Sequence, residues 1–138
     1  MTVEQKPLRA AGGCLCGKVR YEVRGKLGPV YACHCSQCRR TTGYCLVTTS
    51  TRRANFHLVR DATLRWYESS PRARRGFCAA CGSTLFWDAP EENYICMTAG
   101  SIDPPTGLAL ECHIYTEDKG DFYEIADGLR SMPQGSAG

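Results

Sequence analysis

Apolar residues recur at every second position in short stretches along the chain. In Lys18-Val19-Arg20-Tyr21-Glu22-Val23-Arg24 the apolar members Val19, Tyr21 and Val23 share one face and the charges share the other, the signature of a half-buried strand. Val30-Tyr31-Ala32 is short and apolar and predicts a strand that delivers Cys33 to a sheet edge. Ser36 to Thr42 suits a helical turn ended by Gly43. Strands are predicted over Tyr44 to Thr49, around Phe56 and Leu58, and over Thr63 to Glu68 with Leu64 and Trp66 on one face. Leu85-Phe86-Trp87, Tyr94-Ile95-Cys96-Met97 and Cys112-His113-Ile114-Tyr115 add three more, and the wholly apolar run at Tyr94 belongs at the centre of a sheet. Turn chemistry punctuates them at Gly25 to Pro29, Ser69-Ser70-Pro71, Pro90 to Asn93 and Asp103-Pro104-Pro105. The total is about eight to ten short strands and no long amphipathic helix, so the fold class is mostly β. Residues 1–11 and 131–138 read as tails. With 138 residues and no dividing linker, the chain is expected to form a single domain spanning 1–138.

Composition changes this picture at one point, the ten cysteines. A secreted disulfide scaffold is one explanation. The first ten residues argue against it, because Glu4, Lys6, Pro7 and Arg9 interrupt any apolar signal core. No run approaches the roughly 18 apolar residues of a membrane span. The reading is therefore a cytoplasmic chain with free thiols, and clustered thiols there bind metal or do redox chemistry. The formal charge of +3 is mild and gives no reason to expect a nucleic-acid or membrane partner. Seven metal-bound thiolates and two divalent ions would cancel it.

The cysteines fall in three groups. Cys78-Ala79-Ala80-Cys81-Gly82 has the shape of a zinc knuckle, in which two thiolates grip one ion. A closed structural site needs four ligands, and Cys14 with Cys16 is the natural second pair. Cys33-His34-Cys35-Ser36-Gln37-Cys38 leaves three ligands. Three protein ligands plus an exchangeable position characterise a catalytic zinc, with Cys33, Cys35 and Cys38 as the ligand set and Cys35 as the residue assigned to catalysis. His34 lies between two of them, so its ring is expected to point away. Three thiolates make the ion a weak Lewis acid, suited to a soft sulfur or a small polarised hydroxyl. An iron–sulfur centre lacks its usual spacings here, and a redox Cys-x-x-Cys lacks its α/β context. Cys45, Cys96 and Cys112 are expected in the core, and His57 and His113 as structural or exposed. Tyr31, Tyr44, Trp66 and Trp87 could line a pocket or fill a core. Arg39 and Arg40 follow the triplet, and Arg72, Arg74 and Arg75 precede the knuckle. They suit either the carboxylate of an anionic substrate or charge balance for the thiolates.

The order Cys-x-Cys, Cys-His-Cys-x-x-Cys-Arg-Arg, Cys-x-x-Cys-Gly-Ser resembles the glutathione-dependent formaldehyde-activating enzyme family, also called centromere-protein-V-like. Its most specific parts are Gly13-Cys14-Leu15-Cys16-Gly17 and Phe77-Cys78-Ala79-Ala80-Cys81-Gly82-Ser83, with Ala99 to Asp103 and His113 to Tyr115 also similar. The resemblance implies a β-tent fold of short antiparallel strands around two zinc ions per chain. It implies a structural zinc at Cys14, Cys16, Cys78 and Cys81 and a catalytic zinc at Cys33, Cys35 and Cys38. It also implies carbon–sulfur lyase chemistry on a small-molecule thiol–aldehyde adduct, S-hydroxymethylglutathione, formed from formaldehyde and glutathione. The competing expectation is a zinc-stabilised binding module without turnover.

Overall fold

The computed structural model describes residues 6–135. The described residues form eleven strands and one short α-helix, so the fold is mostly β. In chain order these are β1 (Leu8–Gly13), β2 (Arg20–Arg24), β3 (Val30–Cys33), α1 (Ser36–Thr42), β4 (Leu46–Arg52), β5 (Phe56–Arg60), β6 (Leu64–Glu68), β7 (Arg74–Cys78), β8 (Thr84–Asp88), β9 (Tyr94–Thr98), β10 (Leu110–Ile114) and β11 (Arg130–Met132). β1, β2 and β5 make a small sheet in that order. The other eight make a large one ordered β11-β10-β3-β4-β9-β8-β7-β6. β9, the apolar run expected at the centre, lies between β4 and β8.

Alternation explains how the sheets meet. Val19, Tyr21 and Val23 are fully buried along β2 and its approach. They pack with Ile95 and Met97 of β9, Leu85 and Phe86 of β8, and Leu64 of β6 in one continuous core. Phe86 is its aromatic centre. Its ring lies 5.3 Å from Tyr21, 5.3 Å from Phe56 and 5.9 Å from Trp66. Burial of this kind yields roughly 25 cal/mol per Å² of apolar surface, which is why the two sheets hold together.

Beneath that core Asp88 is fully buried, and its carboxylate accepts from Arg53 at 2.8 Å and Arg74 at 2.9 Å. The Arg74 guanidinium also lies 3.8 Å from the Trp66 ring centre. Arg74 is thus committed to the scaffold and not to a substrate.

Three expectations need correction. Leu8 to Gly13 is strand β1 and not part of a tail, because its backbone pairs with β2 from Leu8↔Arg24 to Gly13↔Arg20. Its Ala and Gly residues carry little β-propensity of their own, and pairing supplies what composition lacks. Arg130–Met132 likewise pairs beside β10 instead of trailing away. The rest of the two expected tails, residues 1–5 and 136–138, lies outside the described residues. The strands are also not all antiparallel. β10 runs parallel to both β3 and β11, which the long connections into β10 and β11 permit and a tight hairpin would not.

Candidate metal centre

Cys14 and Cys16 sit in the turn between β1 and β2. The Cys14 carbonyl accepts from the amide of Gly17, which adopts φ 80°. Cys78 ends β7, and its carbonyl accepts from the amide of Gly82, also at φ 80°. Both turns use a glycine in the left-handed region, where other residues are strained. The four sulfurs lie within 4.8 Å of one another. A tetrahedron with metal–sulfur bonds of about 2.3 Å places sulfurs about 3.8 Å apart. Here Cys14 Sγ and Cys16 Sγ are 3.6 Å apart, and Cys16 Sγ and Cys78 Sγ 3.8 Å. None of the ten cysteines is in a disulfide.

The surroundings favour thiolates at Cys78 and Cys81. At Cys16 the Lys18 amide is outweighed by desolvation and by hydrogen bonds with Cys14, Cys81 and Cys78, which push the thiol up to about 11. The Val19 amide donates to Cys14 Sγ at 3.2 Å. The Ser83 hydroxyl lies 3.2 Å from Cys81 Sγ and, with the amides of Cys16 and Ser83, holds that thiol down to about 5. The Thr63 hydroxyl, 3.2 Å from Cys78 Sγ, lowers that thiol also.

The second cluster is built where β3 runs into α1. Cys33 is the last residue of β3, Cys35 is the N-cap of α1, and Cys38 lies buried inside the helix. Gly43, at φ 85°, closes the helix by donating to the Arg39 carbonyl. Backbone extension at Cys35 (φ −62°, ψ 162°) sends Cys33 and Cys35 to one side and His34 to the other. Their sulfurs and that of Cys38 lie within 4.8 Å of one another. Hydrogen bonds from the Cys33 and Cys38 thiols, followed by the amides of Cys38 and Gln37, pull the Cys35 thiol down to about 2. Cys33 is pushed up, chiefly because it donates to Cys35.

His34 is buried on the opposite side. Its Nδ1 meets the Tyr123 hydroxyl and its Nε2 lies 2.9 Å from His113 Nδ1. His113 Nε2 in turn lies 2.7 Å from Asp127 Oδ2. Both ring nitrogens are therefore engaged, and His34 stands outside the sulfur cluster. Burial, followed by repulsion from His113 and Lys119, lowers its affinity for a proton.

The triplet opens into a cavity of about 690 Å³. The cavity lies on the face of the large sheet turned away from the core. Tyr31, Trp87, Tyr94 and Cys96 line it alongside Cys33, Cys35 and Cys38. Cys96 thus departs from the core role expected of it. Ile95 and Met97 take the core side of β9, and alternation turns Cys96 into the cavity, a signal already present in the period of that run. Cys112 is buried as expected and Cys45 half-buried. His57 is exposed. Trp66 fills the core, whereas Tyr44 is exposed against Phe122 and Tyr123.

The arginines separate. Arg75, only 6% exposed, donates from Nη1 and Nη2 to Cys38 Sγ at 3.6 Å and from Nη2 to Gln37 Oε1 at 3.2 Å. Its Nε has no partner. Arg39 is half-buried and donates to the Asp118 carbonyl, while Arg40 is exposed, and neither lines the cavity. Arg72 is exposed, 4.0 Å from Glu92.

Residues 9–118 match the family profile described as glutathione-dependent formaldehyde-activating enzyme. The chain belongs to that family. The match spans both cysteine clusters and every strand except β11 in full or nearly so. A crystal structure of a Rhodobacter sphaeroides protein, a structural-genomics target, is similar at 25% identity with a TM-score of 0.59, covering 68% of this chain and 88% of that one. No curated protein matches. Among the described residues no helix is long and apolar enough to cross a membrane.

Proposed function

We propose that this member of the formaldehyde-activating family is a zinc-dependent carbon–sulfur lyase acting on a small thiol–aldehyde adduct, with S-hydroxymethylglutathione as the reference substrate. One observation carries the reading: three sulfurs share a cavity wall, and the one imidazole among them in sequence is turned away and occupied. The four-cysteine cluster is complete as a ligand set, whereas the triplet leaves one position for a reactant. In this reading the chain is a single cytoplasmic domain with the β-tent fold. Cys14, Cys16, Cys78 and Cys81 hold a structural zinc.

Cys33, Cys35 and Cys38 would hold the second ion, which supplies Lewis-acid polarisation of an oxygen or a site for a soft sulfur. The remaining work belongs to side chains. Tyr31, Trp87 and Tyr94 enclose the adduct, and hydroxyls such as Thr48 and Ser50 on the same walls orient its polar atoms. Neither Arg39 nor Arg40 lines the cavity, but Arg39 is bonded to the carbonyl of the cavity residue Asp118. We assign it, with the exposed Arg40 next in the chain, to a substrate carboxylate that extends out of the cavity. In the synthetic direction the thiol S–H bond and the carbonyl π bond are lost. A C–S bond and an O–H bond form, with no net oxidation.

The test is exchange NMR on isotope-labelled formaldehyde with glutathione. The protein should accelerate transfer between free and adduct signals. Exchange no faster than in buffer removes formaldehyde–glutathione chemistry, and repeating the measurement with 2-mercaptoethanol reports on other thiols.

A further inference from the structure

Arg75 poses a problem that the other arginines do not. It is 6% exposed and forms no ion pair with a carboxylate among the described residues. It projects from β7 between its cross-strand neighbours Tyr67 and Trp87, on the face that carries the cavity. Two of its nitrogens converge on a single sulfur, Cys38 Sγ, and its Nε is left without a partner. A guanidinium stays charged at any pH a protein survives, and burying a charge without a counter-charge is costly. A neutral thiol is a weak acceptor and does not offset that cost, whereas a thiolate does. The arrangement therefore suits a Cys38 sulfur that carries negative charge as a metal ligand.

We infer that Arg75 is the built-in counter-charge of the triplet, and that it equips the site to take an anionic fourth ligand, the thiolate or alkoxide of an adduct. This rests on the metal reading of the triplet given above. Three thiolates around a divalent ion leave one net negative charge. An anionic ligand would raise it to two, in a partly enclosed cavity where like charges repel strongly. With Arg75 on Cys38, the resting unit is neutral and the liganded unit carries a single charge. Two hydrogen bonds to one sulfur also draw electron density from it and leave the ion a better acceptor. Arg75 is a positioning residue in this scheme: it acts through Cys38 and need not touch the reactant.

Cobalt(II) provides the test, because its sulfur charge-transfer bands report each site without turnover. Metal-free protein is titrated with cobalt, and the loaded protein with 2-mercaptoethanol as the probe thiol. Only a site with an open position should change its bands when thiol is added. Arg75→Gln should weaken cobalt and thiol binding at the triplet by about tenfold or more, with the four-cysteine bands unchanged. Arg75→Lys, which keeps the charge, should recover most of the loss. Equal affinities in wild type and Arg75→Gln overturn the inference and leave the metal reading standing. A wild-type triplet that takes up no cobalt defeats the metal reading, and this inference with it. If Arg75→Gln does not fold, the wild-type protein answers by nitrogen-15 NMR. Metal loading should shift the Arg75 guanidinium signals and slow their exchange with water, and signals indifferent to metal overturn the proposal.

Discussion

At the scale of single residues, the decisive contrast is between neighbours on one extended backbone. Cys33 and Cys35 face the cavity, and His34 between them faces Tyr123 and His113. An imidazole free to swing would convert the triplet into a closed four-ligand site. Engaging both its nitrogens prevents that. Cys35 is the helix N-cap, accepting from the Cys38 amide at 3.4 Å, and it is only half-buried. Serine is itself a good N-cap residue, so the helix start can survive the change. If the triplet holds a catalytic metal as proposed, Cys35→Ser should release that metal and lower the proposed lyase activity on the order of 100-fold or more, while the thermal midpoint stays near that of the wild type. Metal content per chain and a melting curve check this. If the triplet serves only to stabilise a binding module, Cys35→Ser should instead destabilise the protein as badly as Cys78→Ser.

At the scale of elements, β2 shows how far a period-two pattern reaches. It foretold that Val19, Tyr21 and Val23 point inward, and all three are fully buried. The same pattern cannot state what a buried tyrosine does with its hydroxyl. Here it pairs with Ser101 Oγ at 2.6 Å, beyond β9 in the chain. Burial dominates this group and pushes the phenol up to about 12. An acid whose affinity for its proton rises on folding stabilises the fold fully below its unfolded value near 10. That contribution is lost as pH climbs from about 10 to about 12, and amounts to roughly 2–3 kcal/mol. Tyr21→Phe should flatten the fall of unfolding free energy across that window. It should cost about 1 kcal/mol at neutral pH through the lost hydrogen bond. Denaturant melts at several alkaline pH values measure both effects, and an unchanged slope in Tyr21→Phe assigns the alkaline loss elsewhere.

β1 and β7 mark the other limit of pattern reading. β1 is Ala- and Gly-rich and β7 opens on two arginines, so neither shows apolar–polar alternation in its residue types. Each is a strand because a neighbour supplies its hydrogen bonds: β2 for β1, and both β6 and β8 for β7.

At the scale of the whole molecule, the four-cysteine cluster joins the β1–β2 turn of the small sheet to the β7–β8 turn of the large one. Among the described residues, β1, β2 and their turn are otherwise bound to the large sheet by the core between the sheets, by contacts around Ser101 and Asp103, and by a hydrogen bond from the Leu15 amide to Ser83 Oγ at 3.0 Å. Arg20, for example, reaches Asp103 at 2.6 Å with both groups partly exposed, a pair worth little in water. A structural thiolate–zinc site typically contributes on the order of 10 kcal/mol or more. Stripping metal with a strong chelator should lower the thermal midpoint sharply and loosen amide protection first in β1 and β2. Hydrogen exchange followed by mass spectrometry measures this. Uniform loss of protection, or none, would show that the cluster does not bridge the sheets.

Local order dictated a definite share of this protein. Period-two alternation set most strands and their inward faces, because side chains on extended backbone alternate whatever surrounds them. The spacing of sulfurs within each turn, two or three residues apart, set which pairs can grip one ion. Tertiary structure decided the rest. Cys16 and Cys78 are 62 residues apart in the chain and 3.8 Å apart in space, a proximity that only sheet pairing creates. The parallel placement of β10 brings His113 onto His34 and keeps that ring from the triplet. The register of β7 places Arg75, one arginine among several in its stretch, against Cys38, while Arg74 beside it turns to Asp88. Sequence can nominate charged and metal-binding residues; which of them share a site depends on long-range packing that no local pattern encodes.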